Sequence, residues 1–288
     1  MEGFYGYDAI PMAGVTSVEI ARGAGASLIA PEAIGGVINV VTAKPTEDSL
    51  SFDLSAGNQD YRKYQVVGTK ISKDKDTAIF VSAQSDSRGQ VDEDNNWVNE
   101  SPNLENRALI AQVWLKASES DRIDLRITDQ RSEVFGGPMT DTPFVSSQKE
   151  AQTSAPGNAS FIGDNINNRP DIAGGSSPRD FLENIVTTKQ AYTGKWQHDF
   201  SQDLQSQVTA SYVDITMDSI YEGITYKADQ DILYTDARID YFPNLNHAIT
   251  FGVDLKDDTY SSKSTGGLLP ANDSYNLNTT GLYIRDVW

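Results

Sequence analysis

The chain has 288 residues, and its 23 Lys and Arg stand against 41 Asp and Glu, a formal net charge of −18. That acidity argues against a nucleic-acid partner, whose phosphates need a basic surface, and leaves a membrane open, since barrels carry charge in loops and lumen. The absence of cysteine rules out disulfides, thiolate metal sites and cysteine nucleophiles. No run approaches the ~18 apolar residues of a membrane-spanning helix. The opening MEGFYGYDAIPM lacks the basic start and apolar core of a signal peptide. The closing GLYIRDVW stops inside a strand-like run, so the sequence reads as a piece cut from a longer exported protein.

Residues Met1 to Met12 are aromatic and glycine-rich and read as irregular backbone leading to Val15. From Val15 to Pro45 the pattern is strand, glycine-rich turn, irregular crossing, Gly-Gly turn, strand. Val15, Val18 and Ile20 form an apolar run that ends at Arg22. Gly23 and Gly25 permit backbone that a Cβ forbids, Pro31 bars a long helix, and Gly35-Gly36 turns into Val37–Thr42. Gly23-Ala24-Gly25 after a strand imitates a dinucleotide fingerprint. Leu28 occupies the third glycine position, however, and Pro31 breaks the helix that would face a pyrophosphate.

Two stretches instead carry a resemblance: Val18-Glu19-Ile20-Ala21-Arg22-Gly23, and Ala33-Ile34-Gly35-Gly36-Val37-Ile38-Asn39-Val40-Val41-Thr42. They resemble the end of the plug domain of TonB-dependent outer-membrane receptors, whose pattern is "IEVLRG", a spacer, then "GAIGGVINIIT". Ala24 replaces the usual proline and Ile29-Ala30 the usual Tyr-Gly, departures that touch the local turn geometry. Lys44-Pro45-Thr46-Glu47-Asp48 is a polar break ending the strand. The expected division is therefore 1–46, the C-terminal part of a plug, and 47–288, the first half of a barrel.

Beyond the break the hydrophobic period is two. Ser51–Gly57, Tyr61–Ser72, Asp76–Ser87, Asn106–Ser118 and Asp121–Val134 read as strands, followed by Thr188–Phe200, Asp203–Met217, Asp229–Phe242, His247–Asp258 and Asn276–Trp288. Runs this long suit tilted strands that project beyond a bilayer. From the second strand on, the connections alternate short and long. Lys73–Lys75, Glu119–Ser120, Ser201–Gln202 and Pro243–Asn246 are short, while 88–105, 135–187, 218–228 and 259–275 are long. Tight periplasmic turns and long extracellular loops give a transmembrane barrel that pattern; Asn58–Asp60, short where parity says extracellular, is the exception.

The expected fold is thus all-β and transmembrane: a partial antiparallel outer-membrane β-barrel of about ten strands after the C-terminal part of a small α+β plug. Plugged transporters have about 22 strands, and a half-barrel leaves edges unpaired in lipid. The isolated chain is therefore expected not to insert as a stable monomer. A heat-stable, SDS-resistant barrel from liposomes would refute this.

The resemblance implies that Arg22 takes part in plug–barrel ion pairing, with Glu19 its neighbour; the plain alternative is that both finish an alternating strand. Gly23, Gly35, Gly36 and Asn39 belong to the same motif. In the 135–187 segment, Phe135, Phe144, Phe161, Arg169 and Arg179 combine aromatics and cations suited to an anionic, aromatic iron chelate; a polar loop without ligand explains the same composition. Asp92-Glu93-Asp94-Asn95-Asn96 is rich in hard oxygen ligands but has Trp97 where a calcium loop needs glycine, so no metal site is assigned. His198 and His247, the two histidines, lie beside short turns and fit neither a two-histidine metal site nor haem capture. Neither lies in a nucleophile motif, so no catalytic residue, no cofactor and no enzyme is expected.

The resemblance implies energised uptake of a scarce, bulky nutrient, most often a ferric siderophore, across the outer membrane of a Gram-negative bacterium. The TonB energy-transducing complex would pull on the plug through an N-terminal segment. Cobalamin and oligosaccharide are alternative cargoes of the same architecture. A β-rich surface adhesion protein is the rival class; it predicts a soluble monomer, whereas transport predicts lipid-facing aromatics such as Tyr192, Trp196, Phe200, Tyr241 and Phe242.

Overall fold

The computed structural model describes residues 12, 14–22, 36–42, 44–93, 98–138, 183–221, 224–244, 247–265 and 273–288. Among them there is no helix. Two strands, β1 (Val15–Arg22) and β2 (Gly36–Thr42), make an antiparallel hairpin-like sheet of their own. Val18 faces Val40 and Ile20 faces Ile38 across it, and Glu19 stands opposite Asn39.

The other ten strands form one antiparallel sheet in strict sequence order. They are β3 (Ser49–Ala56), β4 (Arg62–Ile71), β5 (Thr77–Arg88), β6 (Val98–Lys116) and β7 (Asp121–Pro138), then β8 (Glu183–Asp199), β9 (Leu204–Tyr221), β10 (Ile224–Asn244), β11 (His247–Thr265) and β12 (Tyr275–Val287). Each strand pairs only with its neighbours in the chain, which leaves β3 and β12 at the two edges. A meander of this kind is what consecutive period-two runs with tight turns generate.

The two faces differ in chemistry. On β5, Ala78, Phe80 and Ser82 are buried while Ile79 and Val81 are exposed. Following register from those exposed positions gives one outward band: Leu50, Phe52 and Leu54 on β3; Leu109 and Leu115 on β6; Leu125 and Ile127 on β7; and Phe251 and Leu255 on β11. An outward apolar band carried from strand to strand is what a bilayer-facing wall requires. On the opposite face Lys195 meets Asp124 at 2.7 Å, Thr250 donates to Asp240 at 2.6 Å, and Tyr283 donates to Asp236 at 2.6 Å. A polar inner wall behind an apolar outer band is barrel chemistry.

Strands run further than the sequence pattern indicates. β6 takes up residues 98–105, β7 and β8 take up 135–138 and 183–187, and β11 takes up 259–265, all read as loop from the sequence. The largest difference falls at 218–228. Tyr221 pairs with Ile224 and Asp218 with Lys227, so β9 and β10 are paired to their ends. Met217, Ala228 and Tyr260 bury together there with Ile185 and Tyr226 packed against them, which supplies the apolar contact that holds polar strand ends in register.

Candidate functional site: the hairpin against the inner wall

The β1–β2 hairpin touches the inner face of the large sheet at two places. Gly14, with φ at +72°, lies flat on the ring of Phe80, which is 3% exposed; a Cβ at Gly14 would overlap that ring. Positive φ is cheap only for glycine, so the chain turns into β1 there without losing contact with the wall. At the same, open end of the hairpin, where Thr42 pairs with Val15, the Thr42 hydroxyl donates to Gln112 Oε1 at 3.1 Å. Gln112 belongs to the inner face of β6, opposite Phe80 on β5. The two contacts thus converge on one neighbouring pair of wall residues.

Within the hairpin, Asn39 Nδ2 donates to Glu19 Oε2 at 3.0 Å. A cross-strand pair of this kind contributes about 0.2–1 kcal/mol, so Glu19 is committed to its sheet partner here. Arg22 pairs through its backbone with Gly36. Its side chain, with Gly23 and Gly35, lies outside the described residues. After the hairpin, Asp48 fastens the chain to the sheet. Its carboxylate takes the Lys70 ammonium and accepts from the Ile71 N–H at 2.8 Å. The Lys70 contact first, then the Ile71 bond, holds the Asp48 carboxyl below its ordinary range.

Of the five residues expected to meet a substrate, Phe144, Phe161, Arg169 and Arg179 lie outside the described residues, as do Asp94–Trp97. Phe135 is not a loop residue. It sits in β7, 1% exposed, between Asn103 of β6 and Asn184 of β8, and both amides are buried without a hydrogen-bond partner among the described residues. Burial keeps its ring from meeting a ligand directly in this arrangement.

The histidines anchor the short-turn rim. His198 Nδ1 lies 2.8 Å from Asp121 Oδ1, which also accepts from Trp196 Nε1 at 3.0 Å, and the Phe200 ring stands edge-on to the imidazole at 4.5 Å. His247 Nδ1 lies 2.9 Å from Asp286. Tyr192, Trp196, Phe200 and Tyr241 are exposed, while Phe242, half-buried, falls on the opposite face of β10 from Tyr241. That one aromatic is corrected to the inner side, because strand parity reverses at each residue. Gly14, Phe80, Thr42 and Gln112, which make the actual contacts, have no motif to announce them; only the glycine next to an apolar run was a signal.

No family model matches the chain. A stretch of 87 residues, 30% of the chain, is 32% identical to the vitamin B12 transporter BtuB of Vibrio cholerae, of which it covers 14%. Among solved structures the fold is similar to the ferric-catecholate import receptor Fiu of E. coli K12, with a TM-score of 0.65, 13% identity, and coverage of 96% of this chain and 44% of that one. It is similar also to the alcaligin outer-membrane receptor FauA of Bordetella pertussis, with a TM-score of 0.67, 15% identity, and coverage of 93% and 38%. The siderophore receptor PiuA of Acinetobacter baumannii gives 0.63, 12%, 96% and 45%. The chain spans less than half the length of each of these relatives. These relatives are described as receptors and transporters.

Proposed function

We propose that this chain belongs to the TonB-dependent outer-membrane receptors and that the whole protein takes up a ferric siderophore across the outer membrane of a Gram-negative bacterium. The observation that carries this reading is the hairpin seated on the polar inner wall through Gly14–Phe80 and Thr42–Gln112. A segment held inside a sheet that is apolar outside is the arrangement a plugged transporter requires. Residues 1–46 are then the end of the plug and 47–288 the first half of its barrel.

In this mechanism no bond is made or broken. The Glu19–Asn39 bond ties together the two strands of the plug's last hairpin, Arg22, Gly23, Gly35 and Gly36 shape its turn, and Gly14 and Thr42 seat it against the barrel. The TonB complex pulls on the plug through a segment outside these 288 residues, and the seam at Gln112 parts to open a path. Phe135 backs the extracellular end of the wall, and Phe144, Phe161, Arg169 and Arg179 meet the iron chelate. The solved relatives named above are described as receptors of ferric catecholate, alcaligin and siderophore, which favours iron. The 32% identity to a vitamin B12 transporter favours cobalamin as the second reading.

The test is uptake by the full-length receptor in a receptor-deficient strain. Iron-labelled siderophores and labelled cobalamin are compared with and without an energised inner membrane. Energy-dependent iron accumulation supports the proposal, and cobalamin accumulation alone selects the second reading. A chain that sediments as a compact monomer without detergent overturns both in favour of a surface adhesion protein.

A further inference from the structure

The seam between hairpin and wall holds a cavity of about 220 Å³ at the short-turn end of the sheet. Five cations line it: Lys44 just after β2, Lys75 in the β4–β5 turn, Lys116 at the end of β6, Arg122 at the start of β7, and Lys195 on β8. In a chain of net charge −18, convergence of cations from five separate segments runs against composition. One carboxylate lines the same cavity, Asp124, and Lys195 holds it at 2.7 Å.

Two of the remaining cations are also neutralised from outside the cavity. Lys116 pairs with Glu119 at 2.7 Å and Arg122 with Asp199 at 2.7 Å. Lys44 and Lys75 have no ion-pair partner among the described residues. Lys75 is held in place by a backbone φ of +65° and by its N–H donating to Ser72 O at 2.9 Å. The cavity wall is therefore left with two uncompensated ammonium groups, one on the linker from the hairpin and one on the sheet. Opposing cations across a seam repel, and a multivalent anion between them converts repulsion into charge-assisted bonds.

We propose that this cavity is a binding site for a small multivalent oxyanion of the phosphate class, which clasps the hairpin linker to the barrel wall. Size selects the class: the space is below the ~300–1,000 Å³ of pockets for drug-sized ligands, so a bulky chelate does not fit. Trp114, on the same wall, gives the site an optical reporter. The clasp works at the seam itself, two residues along β6 from Gln112, and stands whichever nutrient the receptor carries.

The experiment titrates inorganic phosphate into the full-length receptor, refolded in detergent, at constant ionic strength, and follows tryptophan fluorescence. The expected result is a saturable change that disappears in Trp114→Phe. Lys44→Gln combined with Lys75→Gln should weaken it about tenfold or more, the loss expected when charge-assisted contacts are removed, while leaving the heat-modifiable band of the folded receptor unchanged. Phosphate should also raise the thermal midpoint of the native protein and not of the double variant. An equal response to chloride at matched ionic strength would make this screening and overturn the site. Unchanged affinity in the double variant, or no response from Trp114, would overturn it as well.

Discussion

At the scale of single residues, the inner wall depends on where a side chain is missing as much as on where one is present. Gly252 of β11 stands opposite Tyr283 of β12, whose ring lies across the glycine to bring its hydroxyl to Asp236 of β10. A Cβ at Gly252 would overlap that ring. Gly252→Ala should therefore cost about 1–3 kcal/mol, the range for overpacking a fitted site, seen as a lower urea midpoint for the folded protein. Combining it with Tyr283→Ala should give a loss smaller than the sum of the singles, because the second change removes the clash. Additive losses would mean that the ring does not rest on Gly252. The glycine was visible in the sequence as one polar-face position among others; its partner, 31 positions along, was not, since register is set by the turn between the strands.

At the scale of elements, turns decide register. Gln59 and Asp60 have φ of 60° and 53°, the pair of positive values that a two-residue type I′ hairpin demands. Gly89 donates its N–H to Gln59 O at 2.7 Å, fixing that turn beneath the β5–β6 connection. Asp60→Gly should relieve left-handed strain and stabilise by about 0.5–1 kcal/mol, read as a raised urea midpoint; a lowered midpoint would mean that the Asp60 side chain has a role of its own. In the β4–β5 turn, the Asp74 carboxylate takes the Ser72 hydroxyl and accepts from the Asp76 N–H at 3.1 Å. Those bonds, Ser72 first, hold its pKa below the ordinary 3.8. With the folded value depressed, its contribution is present above 3.8 and is lost as pH falls through the lower folded value. An acid melt should lose stability in that window, and Asp74→Asn should flatten it there; an identical acid limb in the variant would remove Asp74 from the account. The strands between these turns were legible as alternation. The ends remote from the short turns were not, because at Asp218, Ser219, Tyr226 and Lys227 the pairing is polar to polar, with Lys227 to Asp218 at 2.9 Å and the Ser219 hydroxyl on Tyr226 O at 3.0 Å. A period-two signal needs a hydrophobic contrast that those residues do not offer.

At the scale of the whole molecule, what distinguishes a membrane barrel from a soluble sheet is which face is apolar. The hairpin lies against the face that carries Phe80 and Gln112, the face called inner. Leu125 then lies on the outer face between Ile123 and Ile127, 52% exposed, with its side chain covering Gly194 on the next strand. Thr128 lies on the inner face three residues on. In lipid an arginine at the middle of the outer band gives up hydration without a partner, at a cost of about 2–4 kcal/mol, whereas an inner-wall cation stays in a polar lumen. Leu125→Arg should accordingly lower the folding free energy of the full-length protein in vesicles by that amount, and Thr128→Lys by much less. Both would be measured by urea titration with tryptophan emission as the reporter. In water that penalty vanishes: an exposed Leu125→Arg is then close to neutral, no costlier than Thr128→Lys. Equal costs, or a larger cost at Thr128, would therefore reject the bilayer as the solvent of this sheet, and with it every functional statement that depends on a lumen.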